Sequence, residues 1–192
     1  MRPNYPLFLA LISLLSLTTC KKGEDDPLVS LRSRKERISG DWRLQSGTAT
    51  YTQGAYRESY IFDGSNVTLY VAAPSYAAGY KGKYFLNLTI SKDGKFTFKE
   101  LLSNVVLEAS GTWNFNVGIG NEKRKEDVLF FIDRVSAGYT NGNSLFNRTN
   151  TNFVYKIKEL RNKKLVISST GKIYSDSNGK YTTLSNEYIF IQ

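Results

Sequence analysis

The chain has 192 residues, with 26 Lys and Arg against 17 Asp and Glu, a net charge of +9, one Cys and no His. Without His there is no Ser-His-Asp triad, no Cys-His dyad and no His-ligated zinc; a single Cys excludes an intramolecular disulfide and a thiolate metal cluster. Hydrophobic residues at 41% and aromatics at 14% argue for a folded chain, and the length suits one domain.

Arg2 is the sole charge before Cys20, and Pro6 to Leu17 is apolar apart from Ser13 and Ser16. That run is shorter than the roughly 20 apolar residues of a spanning helix. It reads as a secretory signal. Leu17-Thr18-Thr19-Cys20 resembles the lipobox of bacterial lipoproteins, although Thr19 stands where Gly, Ala or Ser is usual. The resemblance implies cleavage before Cys20, acylation of that Cys (palmitate among its chains) and anchoring in a membrane. The other reading of Cys20 is a free thiol closing an ordinary signal peptide. Residues 1–19 are thus expected to be a lipoprotein signal peptide and 20–26 the lipidated Cys with a polar tether. Lys21 argues against inner-membrane retention. Glu24-Asp25-Asp26 resembles the surface-export signal of some Gram-negative lipoproteins. The expected location is the outer membrane, at its periplasmic face or the cell surface. The three carboxylates are read as a solvated linker rather than a calcium site.

Asp26-Pro27 is a helix start, and Leu28, Leu31 and Ile38 can share a face, which predicts one short helix over about Pro27 to Ser39. After Gly40 the period changes to two. Trp42 and Leu44, then Tyr56, Tyr60 and Phe62, then Val67, Leu69 and Val71 alternate with polar neighbours. So do Tyr84 to Ile90, Phe96 and Phe98, Trp113 to Val117, and Phe153 to Ile157; Val128 to Ile132 is apolar on both faces, and Leu165, Ile167 and Tyr188 to Ile191 close the series. Such alternation predicts strands with one buried face. Asp63-Gly64, Asp93-Gly94 and Asn178-Gly179 are hairpin signals. The expected fold is all-β: an up-and-down antiparallel β-barrel of eight to ten strands over 27–192, with the short N-terminal helix plugging one end.

Gly40-Asp41-Trp42 resembles the Gly-x-Trp signature of lipocalins. Lys92-Asp93-Gly94-Lys95-Phe96, then Ser110-Gly111-Thr112-Trp113, then Tyr155 to Leu160 and Lys164 to Ile167, resemble the lipocalin-like lipoproteins of Gram-negative bacteria. The resemblance covers about Pro27 to Gln192 and marks Gly40, Trp42, Gly111 and Trp113 as fold signature. The Thr-Asp-Tyr element of better-known lipocalins is missing, as is the basic residue that packs over the first Trp. Trp42 and Trp113 are read as core residues, each with one partner for its ring N–H.

A small barrel either fills its interior with side chains or holds one ligand. The first reading is a binding protein for a small apolar or amphipathic molecule inside the barrel. The alternative is a closed barrel whose loops contact a surface protein or an acidic glycan. Inward small or polar residues would mark a cavity, and large aromatics meeting at the centre a filled barrel. Three stretches read as loops. Ala73 to Gly82 carries Tyr76 and Tyr80, Gly118 to Glu126 carries Lys123-Arg124-Lys125, and Arg134 to Thr151 carries Tyr139, Leu145 and Phe146. Tyr76, Tyr80, Tyr139 and Phe146 are the candidate pocket or loop contacts. Basic residues are spread along the chain, so nucleic acid is not expected as a partner. Glu58, Glu100, Glu108, Asp133 and Glu187 have no spacing that distinguishes them from solvated surface charges, and no enzyme activity is expected. No cofactor or metal is called for, and the protein is expected to be a monomer.

Overall fold

The computed structural model describes residues 32–116, 126–136, 144–148, 152–174 and 181–192. Cys20 with its signal and tether, the first half of the expected helix, the Lys123-Arg124-Lys125 run, Tyr139 and Asn178-Gly179 lie outside the described residues.

The helix α1 spans Arg34–Ile38. Ser33, in extended backbone, caps it, and the expected start at Asp26-Pro27 lies outside the described residues. The Ser33 hydroxyl accepts from Glu36 N at 3.1 Å and the Glu36 carboxylate accepts from Ser33 N at 2.9 Å, a reciprocal pair that satisfies two end groups. Ten strands follow: β1 Gly40–Gln53, β2 Tyr56–Phe62, β3 Asn66–Ala73, β4 Tyr76–Ile90, β5 Lys95–Leu102, β6 Val105–Asn116, β7 Asp127–Val135, β8 Phe153–Arg161, β9 Lys164–Tyr174 and β10 Tyr181–Ile191. Each pairs antiparallel with the next, and β10 returns to β1, so the sheet is ring-like.

Two features give the ring unequal ends. Gly40–Arg43 of β1 pair directly with Asn87–Ile90 of β4, while Gly47–Gln53 pair with β2. The β2–β3 hairpin is therefore wedged in at one end, which is wide; the other end, beside α1, is narrow. At the wide end β8 pairs with β7 only from Phe153 to Lys156, and its pairing with β9 begins at Lys156 with Ser168. Beyond Lys156 and Ser168, toward the wide end, β8 and β9 are no longer paired.

At the narrow end Arg37 of α1 is buried and donates through Nη1 to the Leu160 carbonyl at 2.5 Å. Trp42 Nε1 donates to the Ile38 carbonyl at 2.7 Å and Trp113 Nε1 to the Ser91 carbonyl at 2.8 Å, and both rings are buried. Each Trp thus has the single N–H partner expected of a core indole. Gly40 sits at φ +149°, where a side chain is strained. Gly111 lies at a bulge between β6 and β7, and a Cβ there would run into the Phe131 carbonyl oxygen. Gly111→Ala is therefore expected to cost about 1–3 kcal/mol or more, because backbone must shift to admit one methyl group. A thermal melt in which this variant matches the native chain would sink that account.

Of the stretches read as loops, Ala73 to Gly82 is largely strand, and Arg134 to Thr151 is strand at its first two residues. Ala73 ends β3 and Tyr76 begins β4, so only Pro74 and Ser75 connect them. Likewise β7 continues through Arg134 and Val135. The Ala and Gly of the first stretch weaken the alternation, but cross-strand pairing from Asn66 with Lys83 to Ala73 with Tyr76 carries the hairpin through.

Many inward positions of the ring are aromatic. Phe96 and Phe130 have ring centroids 4.8 Å apart, Phe130 and Phe153 5.0 Å, and Phe62 and Tyr84 4.7 Å. Large rings meet at the centre, the pattern expected of a filled interior.

Candidate site at the wide end

Ser144, Leu145, Phe146 and Asn147 are all buried, although this stretch has no strand pattern. It enters the ring from the wide end. Phe146 lies among Phe98 at 5.2 Å, Tyr155 at 5.3 Å, Phe153 at 5.5 Å and Tyr188 at 5.6 Å between ring centroids. It was expected as a pocket or loop contact; it is a core residue that also lines the cleft beside the segment. The cause is side-chain chemistry: an exposed Phe gains by finding an aromatic chamber, and the backbone that carries it finds hydrogen bonds there.

Glu100 supplies those bonds. Its carboxylate is fully buried and accepts from Tyr84 Oη at 2.8 Å, Ser144 Oγ at 2.6 Å, Leu145 N at 2.9 Å and Phe146 N at 3.3 Å. Burial pushes its pKa up, against these four donors. The expectation of a solvated Glu100 is overturned: on β5 it is in phase with Phe96 and Phe98, and that position faces inward. Tyr155 Oη donates to the Phe146 carbonyl at 2.6 Å and Tyr188 Oη to the Leu145 carbonyl at 2.9 Å, so the inserted segment has partners for both its N–H and C=O groups.

Arg148 closes the segment at the mouth. Its Nη2 is 2.7 Å from the Glu58 carboxylate and donates to Tyr60 Oη at 3.0 Å, and its guanidinium lies 3.9 Å from the Tyr51 ring centroid. Tyr56 and Tyr60 also donate to Glu58, at 2.8 and 2.9 Å. Burial alone would raise the Glu58 pKa, but the Tyr56 hydrogen bond and the Arg148 charge outweigh it, and the carboxyl titrates below its ordinary 4.5. A lowered folded-state pKa adds stability above 4.5, which is lost as pH falls through the folded value. Glu58→Gln is therefore expected to narrow the stability difference between pH 7 and pH 3. Urea midpoints at the two pH values check this; an unchanged difference would show that the pair contributes nothing.

Beside the segment is a cleft of about 280 Å³. Tyr51, Phe146, Phe153 and Tyr155 give it aromatic walls, and Arg148, Ser169 and Asn186 give it polar ones. It lies where β8 and β9 separate. A second hollow, of about 540 Å³, is on the outer face of β4 to β7 and includes Asn87, Thr97, Lys99, Glu108 and Arg134. Lys99 and Glu108 pair across it at 2.8 Å.

Tyr76 and Tyr80 stand on the part of β4 that pairs with β3 at the wide-end rim. Both are about half exposed, and Tyr80 Oη is 3.1 Å from Ser103 Oγ. Neither lines the cleft. Trp42 and Trp113, with Gly40 and Gly111, belong to the frame. Glu58, Glu100 and Asn186 had a readable signal: each is a polar residue in phase with an apolar stripe. Ser144 had none.

Among the described residues no helix is long and apolar enough to cross a membrane, and no cluster of His, Cys, Asp and Glu could hold a metal ion. No protein-family model, curated protein or solved structure matches this chain.

Proposed function

We propose that the protein is a lipid-anchored, lipocalin-like up-and-down barrel of the outer membrane that binds a small amphipathic molecule. The binding place is the wide-end cleft rather than the barrel centre. The protein is a monomeric binding protein, not an enzyme. The cleft carries this reading: it sets four aromatic rings against polar groups in about 280 Å³, where the rest of the ring is filled. α1 is the described element nearest in sequence to Cys20 and packs at the narrow end. An anchor at Cys20 would leave the wide end facing away from the membrane. Native mass spectrometry of the chain extracted from membranes tests the ligand. A reproducible bound mass, released on denaturation, is expected; bare protein that takes up nothing from a panel of small ring compounds would end this reading.

The anchor is tested separately. Cys20→Ser is expected to abolish incorporation of radiolabelled palmitate and to move the protein from the membrane to the soluble fraction. Retained label would place the acyl group elsewhere.

The outer hollow favours a second reading, a surface interaction module. Its amide, hydroxyl, Lys and Arg groups suit an acidic glycan. Glycan-array binding lost on Lys99→Ala and kept when the cleft is blocked would favour it.

A further inference from the structure

We infer that Asn186 sets the specificity of the wide-end cleft, its carboxamide oxygen accepting a hydrogen bond from an O–H or N–H group on a small neutral ring compound. The inference rests on reading the cleft as a binding site.

Asn186 is in phase with Tyr188 and Phe190 on β10, so it faces inward, opposite Ser169 of β9. Its side chain lines the cleft and is only 5% exposed. One end of the carboxamide is occupied, since Nδ2 donates to Tyr155 Oη at 3.4 Å. The other end, Oδ1, is buried and has no hydrogen-bond partner. Exchanging the two ends does not relieve it. The Tyr155 hydroxyl gives its proton to the Phe146 carbonyl at 2.6 Å, which leaves only a lone pair facing Asn186. The amide must therefore present its NH₂ there and its oxygen elsewhere.

A buried acceptor with no donor is rare in folded proteins and destabilising until a donor reaches it. The oxygen is shut off from bulk water, and a donor seated in the cleft that Asn186 lines reaches it when the carboxamide, held only by the 3.4 Å bond from Nδ2, turns toward it. The other groups there define what carries that donor. Tyr51, Phe153 and Tyr155 offer ring faces and edges, which suits a flat apolar body. Arg148 is the charged group of the lining, and Glu58 already matches it at 2.7 Å, so the ligand needs no charge of its own. A cavity of roughly 150 Å³ holds benzene; the cleft therefore takes one substituted ring.

The test uses two probes that differ by one hydroxyl, 4-fluorophenol and fluorobenzene, titrated into the full chain and followed by fluorine NMR. The phenol is expected to bind about tenfold more tightly, the value of one hydrogen bond in a dry site. Asn186→Leu should erase that preference while fluorobenzene affinity stays within about threefold. Ser169→Trp, which fills the cleft, should remove both. Equal affinities in the native chain, a comparison that needs no variant, overturn the role of Asn186 and leave the cleft as a site. A preference that survives Asn186→Leu does the same. Binding of neither probe, or binding unaffected by Ser169→Trp, overturns the cleft as a site and this inference with it.

Discussion

Glu100→Ala is expected to lower the unfolding free energy by about 3–5 kcal/mol, more than any other single polar change in the ring. The reason is the number of groups that converge on one buried carboxylate. Tyr84, Ser144, Leu145 and Phe146 all donate to it. Removal strands each donor in a site that water does not reach, and the truncated side chain leaves a void. Glu100→Gln keeps one acceptor oxygen but turns an NH₂ toward donors, so its loss should be intermediate, about 1–3 kcal/mol. Urea unfolding followed by Trp fluorescence measures both. Amide hydrogen exchange at Leu145 and Phe146 supplies the local readout and should accelerate in step. A loss below about 1 kcal/mol in the alanine variant, with protection intact, would show that the inserted segment is held by its rings and not by Glu100.

The same carboxylate gives a pH dependence opposite to that of Glu58. Burial raises the Glu100 pKa above 4.5. The native state then binds a proton at Glu100 more readily than the unfolded chain does. Stability tied to this group is fully present below 4.5 and declines as pH rises through the raised value. Glu58 declines in the other direction, as acid protonates it. Removing each group alone separates the two slopes.

Alternation made the strands legible. Tyr84, Leu86, Leu88 and Ile90 all face inward as the period of two requires, and Asp63-Gly64 and Asp93-Gly94 both fall between paired strands. The helix end beside Trp42 was legible for the same local reason. What alternation cannot carry is a segment that enters the core without being a strand. Ser144 to Arg148 has no period, because its burial is decided by chamber shape and by partners on β2, β5, β8 and β10 that are far away in sequence. Its one local hint is Leu145-Phe146, two large apolar residues in a polar stretch. The site was half legible in another sense. Glu58, Glu100 and Asn186 each occupy an inward phase, and a charged or amide group in that phase must find a partner or cost stability. Their partners are set by register across the ring, which a single chain does not reveal.

Phe146→Ala is the second large prediction, and it separates a filled ring from a carrier. The ring of Phe146 meets Phe98, Phe153, Tyr155 and Tyr188, with ring centroids 5.2 to 5.6 Å from its own. Truncation should cost about 3–5 kcal/mol, from lost transfer free energy and from the cavity left behind. Such a cavity would be walled by aromatic rings and continuous with the cleft that Phe146 lines until Ser169→Trp closes that side, while the Glu100 hydrogen bonds, which the alanine backbone can still make, hold the segment in place. An apolar void of that kind stays dry and accepts a small apolar guest. The variant is therefore expected to bind fluorobenzene at the ring centre, to recover part of its lost stability when saturated, and to do so even when Ser169→Trp blocks the cleft. The native chain should show no such blocked-cleft binding. If the native chain with Ser169→Trp takes up fluorobenzene as well as the Phe146→Ala variant does, the centre is already open to ligand. The inserted segment would then act as a displaceable occupant rather than as core.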